Sequence, residues 1–121
     1  MLDLNTYQSK AMSTCLPTCE NIIYMLAGLT AEIGEVNDLI AKWVRKGIAR
    51  IDNNILVFNT YDEAERDAYM LQLKKELGDC EWLLTGVETV CGFNKADVCE
   101  MNIEKLAARK REGTIITHTD H

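Results

Sequence analysis

Apolar residues recur at three- and four-residue spacing through most of this chain, and four stretches carry that helical pattern. Leu4 to Thr14 reads as a short helix, stopped near Pro17, which lacks an N–H donor and disfavours helical geometry at Leu16. From about Thr18 to Lys46 the pattern is a long amphipathic helix ending at Gly47, with Lys42, Arg45 and Lys46 where cations suit the helix dipole. Gly28 and Gly34 inside it point to close approach of a neighbouring helix or a ligand, because an unopposed glycine costs a helix roughly 1 kcal/mol relative to alanine. Ile48 to Phe58 has apolar runs on either side of Asp52-Asn53-Asn54, the mark of a small hairpin or an irregular flap. Thr60-Tyr-Asp-Glu63 is a capping-box pattern opening a third helix, which runs to about Cys91 before Gly92. Asn94 caps a fourth, to about Glu112, with Gly113 as its stop. The predicted fold is all-α: a four-to-five-helix bundle with a small β-hairpin or flap between its two longest helices.

Polar residues that break the apolar arcs are more informative than the arcs themselves. At about 100° per residue, Leu29, Ile33, Val36, Leu39, Ile40 and Trp43 form one arc of the second helix. Glu32 falls inside that arc and Glu35 at its edge. On the third helix Leu73, Leu77, Leu83, Leu84 and Val87 mark the inner face, with Glu76 inside it and Asp79 at the border. Asp38, Glu81 and Glu88 point away and read as surface acids. Carboxylates three residues apart project from one helix face on successive turns, so each pair offers two oxygen ligands to one small volume. An unpaired buried carboxylate is strongly disfavoured, and like charges a few ångströms apart repel by roughly 3–4 kcal/mol at an effective dielectric near 20. Such a cluster persists when cations neutralise it. All-oxygen ligation suits Mg²⁺ or Mn²⁺, which leave positions open for phosphate oxygens. A carboxylate-bridged di-iron bundle needs Glu-x-x-His motifs, and no histidine stands at either place.

Composition narrows the remaining classes. With 121 residues, 47% hydrophobic and 26% charged, the chain fits one globular domain over residues 1–113 with a polar, frayed tail over 114–121 that holds both histidines, His118 and His121. Five cysteines, three of them in helical stretches, argue against a disulfide framework, and Cys15-x3-Cys19 lacks a second ligand pair for zinc. A net charge of −6 argues against binding of a nucleic-acid polymer, since affinity for the phosphate backbone rests on clustered Lys and Arg. The longest apolar run, Ile22 to Leu29, is too short to span a bilayer, and the N-terminus lacks the regions of a secretory signal, so a cytoplasmic protein is expected. Trp43 and Trp82 read as packing residues rather than as stacking platforms for a base. A weaker stripe of Leu71, Gly78, Trp82 and Thr89 on the third helix fits either a partner helix or the first helix of the same chain.

Glu32-x2-Glu35, forty intervening residues and Glu76-x2-Asp79 together resemble the signature of the MazG-like all-α nucleoside triphosphate pyrophosphohydrolases. Gly28-Leu-Thr-Ala-Glu-Ile-Gly-Glu-Val36 is similar to the family's first metal helix, Lys75-Glu-Leu-Gly-Asp79 to its second, and Asn102-x2-Lys105-Leu106-x2-Arg109 to its phosphate-side motif. The resemblance covers about residues 25 to 111 and departs from simpler members in the Arg50 to Phe58 insertion and the cysteine-rich N-terminal part. It implies Mg²⁺-dependent hydrolysis of a nucleoside or deoxynucleoside triphosphate at the α–β bond. Glu32, Glu35, Glu76 and Asp79 would hold the metal, Glu35 would also position or deprotonate the attacking water, and Asn102, Lys105 and Arg109 would bind phosphate. One copy of the motif set implies a compact member working as a homodimer or homotetramer. The rival reading is a helical regulatory module that binds nucleotide without cleaving it.

Overall fold

The computed structural model describes residues 1–113; the polar tail 114–121, with His118 and His121, lies outside the described residues. Helix α1 (Leu4–Met12) and a 3₁₀ turn at Pro17–Cys19 precede α2 (Ile22–Arg45). Strands β1 (Ala49–Asp52) and β2 (Ile55–Phe58) lead into α3 (Glu63–Val90), and α4 (Lys95–Glu112) follows. The molecule is therefore an all-α bundle of four helices with one small antiparallel hairpin, as the pattern predicts. Among the described residues no helix is long and apolar enough to cross a membrane.

Local chemistry sets the boundaries. Asn21 caps α2 by accepting from the Tyr24 N–H at 2.7 Å, so the helix starts at Ile22 rather than at Thr18. Asp62, not Thr60, caps α3, because its Oδ1 reaches the amides of both Ala64 and Glu65. Thr60 adds a donor to Glu65 at 3.3 Å, a remnant of the capping-box arrangement. Asn94 caps α4 through the Ala96 N–H. At the hairpin tip Asn53 and Asn54 have φ of 49° and 66°, the left-handed pair that a two-residue turn with matching twist needs and that asparagine tolerates.

The backbone of the fold is the pairing of α2 with α3. Gly28 lies against Leu83, Gly86 against Met25, and Trp43 against Tyr69, so the two helices run antiparallel. A Cβ at Gly28 would sit 2.6 Å from a Leu83 methyl, which explains this glycine; at Gly34 no protein atom would lie within 4 Å, so a neighbouring helix approaches closely at Gly28 and not at Gly34. Phe58 pins the hairpin onto the bundle, with its ring centroid 5.3 Å from Trp43 and 5.4 Å from Tyr69. Replacing Gly86 by alanine drives a methyl into the thioether end of Met25, so this fully buried side chain must shift. Overpacking of about 1–3 kcal/mol then outweighs the roughly 1 kcal/mol that alanine adds to helix propensity. Gly86→Ala is expected to lower the urea midpoint, and an unchanged or higher midpoint would contradict this packing.

Two expectations need correction, and one left open is decided in part. Ile33, Leu77 and Leu84, assigned to the inner faces, are 56%, 48% and 42% exposed, because one neighbouring helix covers only a strip of a broad apolar arc. The weak α3 stripe divides: Trp82 Nε1 donates to the Ala11 carbonyl and Thr14 Oγ1, and Thr89 Oγ1 accepts from Gln8 Nε2, so α1 covers that end, whereas Leu71 is exposed. Glu88 is no surface acid. It is buried and accepts from Lys95 Nζ at 3.1 Å, because α1 and the start of α4 close over that side of α3.

Candidate metal centre

The antiparallel α2–α3 pair sets the two acidic motifs opposite each other, midway between the Gly28–Leu83 and Trp43–Tyr69 contacts. One carboxylate oxygen from each of Glu32, Glu76 and Asp79 falls within 4.8 Å of the other two. Glu32 and Glu76 are half-buried and Asp79 is exposed. The decisive detail is that Glu32 Oε2 and Glu76 Oε2 are buried without a hydrogen-bond partner. Orphaned buried oxygens of this kind are rare and call for an ion or ordered solvent. Three converging carboxylates, two of them with such oxygens, fit a hard divalent cation.

The electrostatics agree. Burial raises the Glu32 pKa above its ordinary value of 4.5, and the Glu35 carboxylate, then Asp79 and Glu76, push it further in the same direction. Glu35 thus stands beside Glu32 but is exposed and outside the tight three-residue group. Each motif therefore contributes a half-buried member, Glu32 or Glu76, and an exposed one, Glu35 or Asp79.

Cys80 also borders the centre. Burial raises its thiol pKa, with Glu32, Asp79 and Glu76 adding to the effect, so the side chain faces the acids as a neutral thiol. Its place one turn beyond Glu76 is the sequence signal that finds it, since residues four apart share a helix face.

Asn102, Lys105 and Arg109, which the resemblance implies would bind phosphate, lie on α4. Helix α4 is rooted at its N-terminal end: the Lys95 N–H donates to Gln8 Oε1 at 2.8 Å, the Ala96 N–H to Asn5 Oδ1 at 3.2 Å, and Lys95 Nζ reaches Glu88. Beyond this root Asn102 and Lys105 are exposed and Arg109 is half-buried. Among the described residues no hydrogen bond or ion pair joins Asn102 or Lys105 to the acidic centre. Gln8, which also donates to Thr89 Oγ1 and the Phe93 carbonyl, acts with Asn5 and the Lys95–Glu88 pair in fixing how α4 leaves the bundle. Nothing in its local sequence marks it. Trp43 is buried between Phe58 and Tyr69, and Trp82 is tied to α1, so both indoles serve packing.

A helical bundle whose two longest helices present facing acidic pairs is the architecture of an all-α hydrolase domain for nucleotide polyphosphates. The family model for the MazG nucleotide pyrophosphohydrolase domain matches residues 21–114, and the chain belongs to that family. A search of curated proteins and of solved structures gave no match. Helix α1 and the 3₁₀ turn lie ahead of the matched region.

Proposed function

We propose that this chain hydrolyses a nucleoside or deoxynucleoside triphosphate between the α- and β-phosphates, releasing the nucleoside monophosphate and pyrophosphate. The observation that carries the reading is the pair of buried, unpartnered oxygens of Glu32 and Glu76 converging with Asp79 inside a pyrophosphohydrolase domain. Glu32, Glu76 and Asp79, with Glu35 beside them, are the residues that would hold Mg²⁺, or Mn²⁺ in its place. A divalent ion held there would supply neutralisation of the polyphosphate charge and acidification of water. Glu35, exposed at the edge of the cluster, positions the attacking water and accepts its proton. Lys105 and Arg109 bind phosphate oxygens and stabilise the charge that develops on the departing pyrophosphate, and Asn102 orients a phosphate by hydrogen bonding.

The working unit in this reading is a homodimer or homotetramer. Supporting it, Ile23, Met101 and Ile103 are 78%, 71% and 65% exposed, so α2 and α4 both carry apolar surface that a single chain leaves open. In such an assembly a neighbouring copy carries α4 residues to the acidic centre. A cytoplasmic location accords with nucleotide substrates.

Incubation of the purified protein with a panel of nucleoside and deoxynucleoside triphosphates and Mg²⁺, with products resolved by ion-exchange chromatography, tests the reaction. Monophosphate and pyrophosphate in equal amounts are expected. Diphosphate with orthophosphate would overturn the reading, and nucleotide-dependent thermal stabilisation without product would replace it by the non-catalytic binding module.

A further inference from the structure

The hairpin and the start of α3 enclose a second cleft of about 450 Å³, whose lining includes Arg50, Asn59, Tyr61 and Arg66 and none of the four site carboxylates. In a chain of net charge −6, two guanidinium groups with no carboxylate in the lining are an unusual grouping. Among the described residues Lys95 pairs with Glu88 and Glu81, and neither Arg50 nor Arg66 forms an ion pair with a carboxylate. Both are nevertheless held in place. Arg50 Nη1 donates to Asn59 Oδ1, and Asn59 is itself fixed by its Nδ2 on the Gly47 carbonyl at 2.9 Å and its N–H on the Ile48 carbonyl at 2.8 Å. Arg66 Nη1 donates to the Thr60 carbonyl at 3.2 Å. A guanidinium has five N–H donors, so each arginine spends one on the scaffold and keeps others for a ligand.

Two cations lining one cleft repel each other, and an anion between them removes that cost. Phosphate suits the site best, because the arginine fork matches its oxygens in bidentate fashion. The Tyr61 side chain is fully exposed and gives the same cleft a flat aromatic face, on which a nucleobase stacks without sequence preference. The cavity volume lies within the roughly 300–1,000 Å³ of small-molecule sites. Arg66 and Glu76 are ten residues apart on α3, about 15 Å along the axis at 1.5 Å per residue, so the backbone that carries Arg66 lies nearly three turns from the one that carries Glu76.

We propose that the cleft between the hairpin and α3 binds a nucleoside phosphate, with the phosphate on Arg50 and Arg66 and the base on Tyr61, at a site separate from the acidic centre. The site stands on its own residues and does not depend on the hydrolytic reading.

The test is calorimetric titration of the full chain with adenosine monophosphate in EDTA, where metal-dependent binding at the acidic centre is silenced. Saturable binding is expected, weakened at least tenfold in the Arg50→Gln/Arg66→Gln double variant, about fivefold in Tyr61→Ala, and unchanged in Glu76→Gln. Tyr61→Ala alters a fully exposed side chain and so keeps the test valid if the double variant folds poorly. Absence of saturable binding, binding that survives the arginine changes, or binding lost in Glu76→Gln would each overturn the proposal. Inorganic phosphate that binds as tightly as the nucleotide, with Tyr61→Ala silent, would overturn the base contact.

Discussion

Asp79→Asn and Glu35→Gln are each expected to lower triphosphate turnover by roughly 10²-fold or more while leaving the helical circular-dichroism spectrum unchanged. Both side chains are exposed, and each amide is nearly isosteric with the acid it replaces, so neither change disturbs packing. The two variants should fail in different ways. Asp79 belongs to the converging group, so its amide weakens metal affinity, and raising Mg²⁺ should restore part of the lost rate. Glu35 stands beside that group and in this reading also takes the proton of the attacking water, a role that added Mg²⁺ does not replace, so Glu35→Gln should depress kcat even at Mg²⁺ concentrations that restore Asp79→Asn. Pyrophosphate release measured across a Mg²⁺ titration separates the two patterns. Full activity in both variants would remove these residues from the reaction.

Mg²⁺ is expected to stabilise the folded chain by about 2.7 kcal/mol at a hundredfold excess over its Kd, on the order of 10 °C in Tm for a domain of this size. The sign of the pH dependence follows from Glu32. Its folded pKa lies above 4.5, so in EDTA the folded state holds this proton more tightly than the unfolded chain does. The contribution of Glu32 to stability is therefore fully present below about pH 4.5 and is lost as pH rises through the raised value. Subtracting the Tm curve of Glu32→Gln from that of the parent isolates this effect from the other carboxylates. The difference should fall with rising pH in EDTA, and Mg²⁺ should reverse the trend, because metal binding favours the deprotonated acid. A Tm indifferent to both chelator and Mg²⁺ would place the carboxylates on a merely solvated surface.

The acidic pairs were legible in the sequence because helix periodicity fixes which side chains share a face. Position on the wheel separated half-buried Glu32 and Glu76 from exposed Glu35 and Asp79 before any contact was known. Helix α4 was legible for the same local reason, with Asn94 at one end and Gly113, at φ of 76°, at the other. Periodicity could not say how far a neighbour covers a face. Ile33 and Leu77 carry the same sign on the wheel as Leu83, yet only Leu83 meets a helix that buries it. Glu88 failed for the opposite reason: an acid on the outer face became buried when Lys95, from a separate helix, supplied its counter-charge. The root of α4 on Gln8 belongs to the same class, since a glutamine in a short polar helix acquires its role only from contacts more than eighty residues away.

Hydrolysis in ¹⁸O-labelled water, with both products weighed by mass spectrometry, tests the central claim most directly. Attack at the α-phosphorus puts one ¹⁸O into the nucleoside monophosphate and leaves the pyrophosphate unlabelled, which is the expected result. Label in the pyrophosphate would place the attack at the β-phosphorus and contradict the account.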